Sequence, residues 1–127
     1  MSAIVVDTSE WVEYFAGRPA PLLDHALAAG LAVAPPIVVA ELVSGARAAK
    51  DRDSLEAVLR DVALTVDPFE HWVRVGALRA TLRARGLHVS TLDAHIAQCA
   101  LELDAPLLSR DRLFVKIAAL TRLRLAT

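Results

Sequence analysis

The 127-residue sequence is 55% hydrophobic and 23% charged, enough apolar material to close one core and too much for a disordered chain. Its net charge of −1 argues weakly against a nucleic-acid binder, and its one cysteine, Cys99, excludes both an intramolecular disulfide framework and a metal site of thiolates alone. No uncharged run approaches the ~18 residues of a membrane span, and Met1 to Asp7 lacks a basic leader, so the expectation is one cytoplasmic domain over residues 1–127 without a signal peptide.

Ile4-Val5-Val6 is a short apolar run ending in Asp7, the pattern of a strand buried on both faces. Ser9 is placed to cap a helix reaching about Ala16, with Trp11, Val12 and Phe15 on its apolar side. A second helix runs from Pro21 to Ala29 and stops at Gly30. Leu31 to Ala34 gives the second strand. Pro36 suits the first turn of the next helix, whose inner face would hold Val39, Leu42 and Val43. Asp53 or Ser54 would cap a helix carrying Leu55, Val58, Leu59 and Val62, before a brief strand at Leu64-Thr65-Val66. A long amphipathic helix follows from about Glu70 to Arg85, ending at Gly86, and Ser90 or Thr91 opens another that reaches Leu103. Leu107-Leu108-Ser109 is a strand, Leu113 to Leu120 a short helix, and Leu123-Arg124-Leu125 is placed to close the sheet. Strands alternating with helices give an α/β domain with a parallel sheet.

In such a sheet, ligands gather beyond the carboxyl ends of the strands. Asp7 ends the first strand, Asp111 follows Leu107-Ser109, Glu41 lies in the helix after the second strand, and Asp93 in the first turn of its helix. All four come from the same side. Converging carboxylates repel one another and stay partly protonated unless a cation neutralises them, and an all-oxygen donor set suits Mg²⁺ and phosphodiester chemistry. Each acid also has a structural role open to it. Asp7 can cap the next turn, and Asp93 stands three residues after Ser90, a capping-box spacing. Asp111 can pair with a neighbouring arginine. Glu41 is different, because it interrupts an apolar stretch where an unpaired acid is costly.

Asp7-Thr8-Ser9 after an apolar strand, Glu41 within Val39 to Ala46, Asp93 within Leu92 to Ala97, and Leu107 to Phe114 around Asp111 together resemble the motifs of PIN domains. The similarity spans nearly the whole chain and is nearest to the VapC toxins of type II toxin–antitoxin pairs. It implies a five-stranded parallel sheet in the order 3-2-1-4-5 with helices on both faces, and Mg²⁺- or Mn²⁺-dependent RNA cleavage. Asp7 and Asp93 would then be the main metal ligands, Glu41 would help hold metal or its waters, and Asp111 would complete the acidic pocket. Ser9 and Ser109 stand where the family uses hydroxyls to orient those ligands. The resemblance also implies a homodimer and a masking VapB-like antitoxin. Ser109 replaces a frequent threonine, and Leu113 stands where a second acid often follows.

The charge is unevenly spread: residues 1–73 carry 5 Lys/Arg against 11 Asp/Glu (−6), and residues 74–127 carry 9 against 4 (+5). Solvated helix faces explain this asymmetry equally well. Arg110 and Arg112, with Lys116, Arg79, Arg83 and Arg85, are candidate phosphate contacts, though for any single one an ordinary solvated side chain is the simpler reading. His25, His71, His88 and His95 lack the spacing of a zinc set; His25 and His71 read as helix-surface residues, and His95 as pointing away from Asp93. Trp11, Phe15, Trp72 and Phe114 read as core, and Cys99 as a buried thiol.

Competing functions fit less well. A haloacid-dehalogenase-like phosphotransferase needs a second acid where Ser9 stands. A receiver domain needs an acidic pair and a late lysine, where the sequence has Asp7 alone and Arg110. A housekeeping RNA-processing nuclease and a catalytically silent PIN interaction module both share the motifs. A neighbouring antitoxin gene separates the toxin from the housekeeping nuclease.

Overall fold

The computed structural model describes residues 3–127. Its centre is β1 (Ile4–Val6), flanked in parallel by β2 (Ala32–Ala34) and β4 (Leu107–Leu108), with β3 (Ala63–Leu64) parallel to β2 at the edge. The order is β3-β2-β1-β4. Val5 and Val6 are fully buried, as a central parallel strand covered on both faces requires.

The expected fifth strand at Leu123-Leu125 shrinks to one parallel bridge between Leu107 and Leu125, so four strands form where five were expected. The Leu107 amide donates to the Arg124 carbonyl, and the Ala126 amide donates to the Leu107 carbonyl, both at 2.9 Å. The order 3-2-1-4-5 therefore survives with its last position reduced. The cause lies in the turn before it: Thr121 Oγ1 donates to the Ile117 carbonyl and accepts from the Leu123 amide. That local closure leaves little extended chain to pair.

Between β1 and β2 lie α1 (Thr8–Phe15) and α2 (Pro21–Ala28); between β2 and β3 lie α3 (Pro36–Gly45) and α4 (Ala49–Leu59). Then α5 (Phe69–Ala84) and α6 (Thr91–Leu103) cross to β4, and α7 (Leu113–Leu120) follows. Right-handed crossovers put α1–α4 on one face of the sheet and α5–α6 on the other. The core gathers Trp11, Leu23, Leu82, Ile96, Phe114 and Ile117, all at most 1% exposed. No helix among the described residues is long and apolar enough to cross a membrane.

Local differences from the sequence expectations have identifiable causes. Ser9 does not cap α1, which begins one residue earlier at Thr8, because its hydroxyl is spent on Asp7 and Ser109. Neither Asp53 nor Ser54 caps α4, which starts at Ala49; Ser54 Oγ instead bonds back to the Lys50 carbonyl. On α3 the buried face is Val38 and Leu42, one position from the expected Val39 and Val43, which are half-buried. Ser90 does cap α6, accepting from the Asp93 amide at 3.1 Å. His71 is the largest departure. Expected on the surface, it is 1% exposed, because the α5 face that carries His71, Val75 and Leu82 turns inward.

Candidate active site

The carboxyl ends of β1 and β4 bring Asp7 and Asp111 to one end of the sheet, and the middle of α3 and the first turn of α6 bring Glu41 and Asp93. The four acids line a single cavity of about 300 Å³, together with Thr8, Ser9, Leu92 and Ile96. No cationic side chain lines it.

Asp7 is 6% exposed, and its Oδ2 accepts two hydroxyls, Ser9 Oγ at 2.9 Å and Ser109 Oγ at 2.8 Å. The two serines are 3.2 Å apart, and each accepts a loop amide: Arg110 N donates to Ser9, and Asp111 N donates to Ser109. Both hydroxyls are thus committed, with their protons aimed at Asp7. Asp111 Oδ1 accepts the Leu113 amide at 2.9 Å, so this acid opens α7 while still lining the cavity. Its expected arginine pairing does not form, since Arg110 turns to Glu10.

Glu41 Oε1 accepts from Thr8 Oγ1 at 2.7 Å. Ser90 Oγ donates to Asp93 Oδ2 at 3.0 Å, so the capping serine and the acid it caps also fix each other's side chains. Burial raises the Asp93 carboxyl above its ordinary value. The Ser90 hydrogen bond opposes that, and the charges of Asp111, Asp7 and Glu41 add to the rise. Asp93 therefore feels the charges of the other three acids. Oxygen donors only, uncompensated negative charge and a half-buried Asp93 held up by its neighbours fit a hard divalent cation.

A match to the PIN domain family model extends over residues 4–120. The chain belongs to the PIN domain family. No curated protein matches it. Among solved structures, this PIN domain is similar to VapBC2 from Rickettsia felis bound to a DNA fragment from its promoter (TM-score 0.80, 21% identity, 98% of this chain and 97% of that one). It is similar to DNA-bound VapBC from Salmonella typhimurium (TM-score 0.78, 20% identity, 99% and 98%). It is also similar to VapBC-5, a toxin–antitoxin system from Mycobacterium tuberculosis (TM-score 0.68, 20% identity, 98% and 98%). At these identities the likeness is one of fold.

Two polar residues of this PIN domain escaped the sequence reading, Thr8 and Glu10. Thr8 stood in the quoted Asp7-Thr8-Ser9 motif without a role. Glu10, 4% exposed, accepts Arg110 in a two-point contact at 2.8 and 3.3 Å, and Arg110 also donates to the Pro19 carbonyl. The signal for Glu10 was its place on the Trp11 side of a short helix, where an acid is costly without a partner. Arg110 thus fastens the loop after β4 to α1, whereas Arg112 is exposed and, among the described residues, has no ion-pair partner. His71 and His95 are in contact with each other and buried.

Beside the acidic cavity runs a groove of about 340 Å³ between α1, α3 and α4, to which Thr8 and Glu41 are common. Val12, Phe15, Leu42 and Leu55 give it apolar walls. Trp11, at 0% exposed, lies beneath rather than in the groove, stacked on Phe15.

Proposed function

We propose that this PIN domain is a Mg²⁺-dependent endoribonuclease and the toxin of a type II toxin–antitoxin pair, acting in the cytoplasm. The observation that carries the reading is the cavity lined by Asp7, Glu41, Asp93 and Asp111 with no cation of the protein's own to balance them. Asp7 and Asp93 would be the main metal ligands, with Glu41 and Asp111 holding metal or its waters. When bound, Mg²⁺ (or Mn²⁺) would lower the pKa of a coordinated water and draw charge from a phosphate oxygen of the RNA.

The chain's own part is positioning. Ser9 and Ser109 hold Asp7 Oδ2, and Thr8 holds Glu41 Oε1, so each acid keeps one oxygen turned to its own hydroxyl and the other available to the cavity. Leu92 and Ile96 exclude water from one wall. Arg112, exposed just after Asp111, would make a phosphate contact, while Arg110, tied to Glu10, serves the loop first.

The partner reading is supported by the groove that shares Thr8 and Glu41 with the acidic cavity. A VapB-like antitoxin helix or extended tail with apolar anchors would fill the groove and cover the acids in one movement. The VapBC assemblies with the same fold favour this over a housekeeping nuclease. A homodimer is part of the same proposal. Exposed Val66, Phe69 and Val73, around the start of α5, offer an apolar face for it.

The test is to express the protein and sequence the RNA 5′ ends it generates, with and without the product of the neighbouring small gene. A few recurrent cleavage sites, suppressed on co-expression and accompanied by a stable complex, are expected. Unchanged 5′ ends would overturn the ribonuclease assignment, and failure to co-purify would overturn the toxin assignment.

A further inference from the structure

Where α5 packs on α6, four ligand-type side chains meet: Asp67 just before α5, His71 in its first turn, and His95 and Cys99 one turn apart on α6. One ligand atom from each lies within 4.8 Å of all the others. His71 and His95 are 1% exposed, Cys99 is 2% exposed, and the Asp67 side chain is 12% exposed.

Proton placement shows what this cluster lacks. Glu102 Oε2 accepts from His71 Nδ1 at 2.7 Å, so His71 carries a hydrogen there, and in the neutral form that a metal requires it presents a lone pair at Nε2. His95 Nδ1 donates to that lone pair at 2.7 Å, which leaves His95 Nε2 bare as well. His95 Nε2 then faces Asp67 Oδ2 at 4.0 Å and the Cys99 sulfur at 3.9 Å, with no shorter hydrogen bond among the described residues. Asp67 itself receives only Thr65 Oγ1 at 3.1 Å and the thiol at 3.8 Å. A buried carboxylate and a bare imidazole nitrogen thus face each other with only a weak thiol donor between them. Such an arrangement invites a cation.

We propose that Asp67, His71, His95 and Cys99 form a second metal site, separate from the four-acid cavity, that takes Zn²⁺ and locks α5 to α6. Two further edges of the cluster are Cys99 Sγ to His71 Nε2 at 4.0 Å and His71 Nε2 to Asp67 Oδ1 at 3.9 Å, and the edge between the two imidazoles is within 4.8 Å. Tetrahedral zinc with nitrogen, oxygen and sulfur ligands has edges of about 3.3–3.7 Å, so the edges given contract by a few tenths of an ångström while the 2.7 Å contact between His71 Nε2 and His95 Nδ1 opens. A mixed thiolate, imidazole and carboxylate donor set suits zinc, where the all-oxygen cavity suits magnesium.

The surroundings are those of a metal-bound histidine. Glu102 on His71 Nδ1 is the carboxylate that fixes the tautomer of a ligating imidazole. Glu102 is itself held by Arg74 at 3.0 Å and Gln98 at 3.0 Å. Trp72 stacks on His95, with ring centroids 4.5 Å apart, and closes the outer side. Binding would exchange the His71–His95 hydrogen bond for metal–nitrogen bonds and release the Cys99 thiol proton to solvent, leaving a thiolate on the metal. Because α6 also carries Asp93, the site would brace the helix that presents a principal ligand of the other cavity.

The test uses the full chain, stripped with EDTA and then titrated with Co²⁺ as a spectroscopic probe for zinc, in the unsubstituted protein and in Asp7→Asn. One equivalent of Co²⁺ should give intense tetrahedral visible bands and a thiolate charge-transfer band, both displaced by Zn²⁺ and both retained in Asp7→Asn. Cys99→Ser should lose the charge-transfer band. Zn²⁺ at about a hundredfold excess over its Kd should raise Tm by roughly 10 °C, and by much less in Cys99→Ser. A weak octahedral-type spectrum, or a spectrum unchanged by Cys99→Ser, would overturn the proposal. The spectrum of the unsubstituted protein decides the matter even if Cys99→Ser does not fold, and none of these readouts depends on RNA cleavage.

Discussion

Thr8 Oγ1 donates a 2.7 Å hydrogen bond to Glu41 Oε1, joining the first residue of α1 to the middle of α3 at the acidic cavity. A hydrogen bond to a charged group contributes about 1.5–3 kcal/mol. Thr8→Val keeps the shape and removes the donor. RNA cleavage should fall by roughly tenfold to a hundredfold, and the Mg²⁺ concentration for half-maximal rate should rise, with the fold intact by circular dichroism. An unchanged Mg²⁺ dependence would mean that Glu41 needs no positioning.

Ser109 shares Asp7 Oδ2 with Ser9, and the Asp111 amide fixes its hydroxyl. Ser109→Ala should lower metal affinity or activity by about 10- to 100-fold, the usual cost of losing a residue that orients a metal ligand. Ser109→Thr restores the hydroxyl and should recover most of the loss. If both variants behaved alike, the hydroxyl would not be the operative group.

Asp93 gives a pH prediction with a definite sign. Its folded carboxyl is raised by burial and by the charges of Asp111, Asp7 and Glu41, so the folded state holds this proton more tightly than the unfolded chain does. In EDTA, stability should therefore decline as pH rises through the window from the ordinary aspartate value up to Asp93's raised one. Asp93→Asn should flatten that decline, and Mg²⁺ should offset it in the unsubstituted protein. Thermal melts across pH 3.5–7 measure it. An equal decline in Asp93→Asn would place the coupling elsewhere.

How far the site was legible in the sequence follows from which interactions are local. Asp7, Asp93 and Asp111 could be placed because each sits near a strand end or a helix start, and Glu41 because it interrupts an apolar helix that follows a strand, so reading the alternation of elements was enough to bring them to one end of the sheet. Ser90 capping Asp93 was readable for the same reason, spanning only three residues. Thr8 to Glu41 and Arg110 to Glu10 span 33 and 100 residues, and nothing in either local pattern names the partner. His71 looked like a surface residue because α5 has polar residues on most of its faces, and only its packing against α6 chooses the buried one. The last strand was overread for a different reason. Leu123-Arg124-Leu125 has the right alternation, but the Thr121 turn leaves room for one bridge only.

Val12 is 49% exposed and lines the groove beside the acids but not the acidic cavity itself. Val12→Glu should place a charge against the apolar anchors of an antitoxin tail and weaken capture by at least about tenfold, the effect of a buried unpaired charge. Cleavage of RNA by the isolated protein should be unchanged. Titration calorimetry with the neighbouring gene product separates the two. Undiminished affinity would move the antitoxin to another surface.

The most direct test of the central claim is cleavage of total RNA by the unsubstituted protein and by Asp7→Asn, each in Mg²⁺ and in EDTA. Asn keeps the size of Asp7 and an oxygen for Ser9 and Ser109, but removes the charge at the most buried of the four acids. Metal activation of water is worth several kcal/mol, so the substitution and the chelator should each lower the rate by several orders of magnitude. Tm in EDTA should barely change, because relief of repulsion among the acids offsets the loss of a buried ion's contacts. Full activity in both EDTA and Asp7→Asn would contradict the metal–carboxylate account.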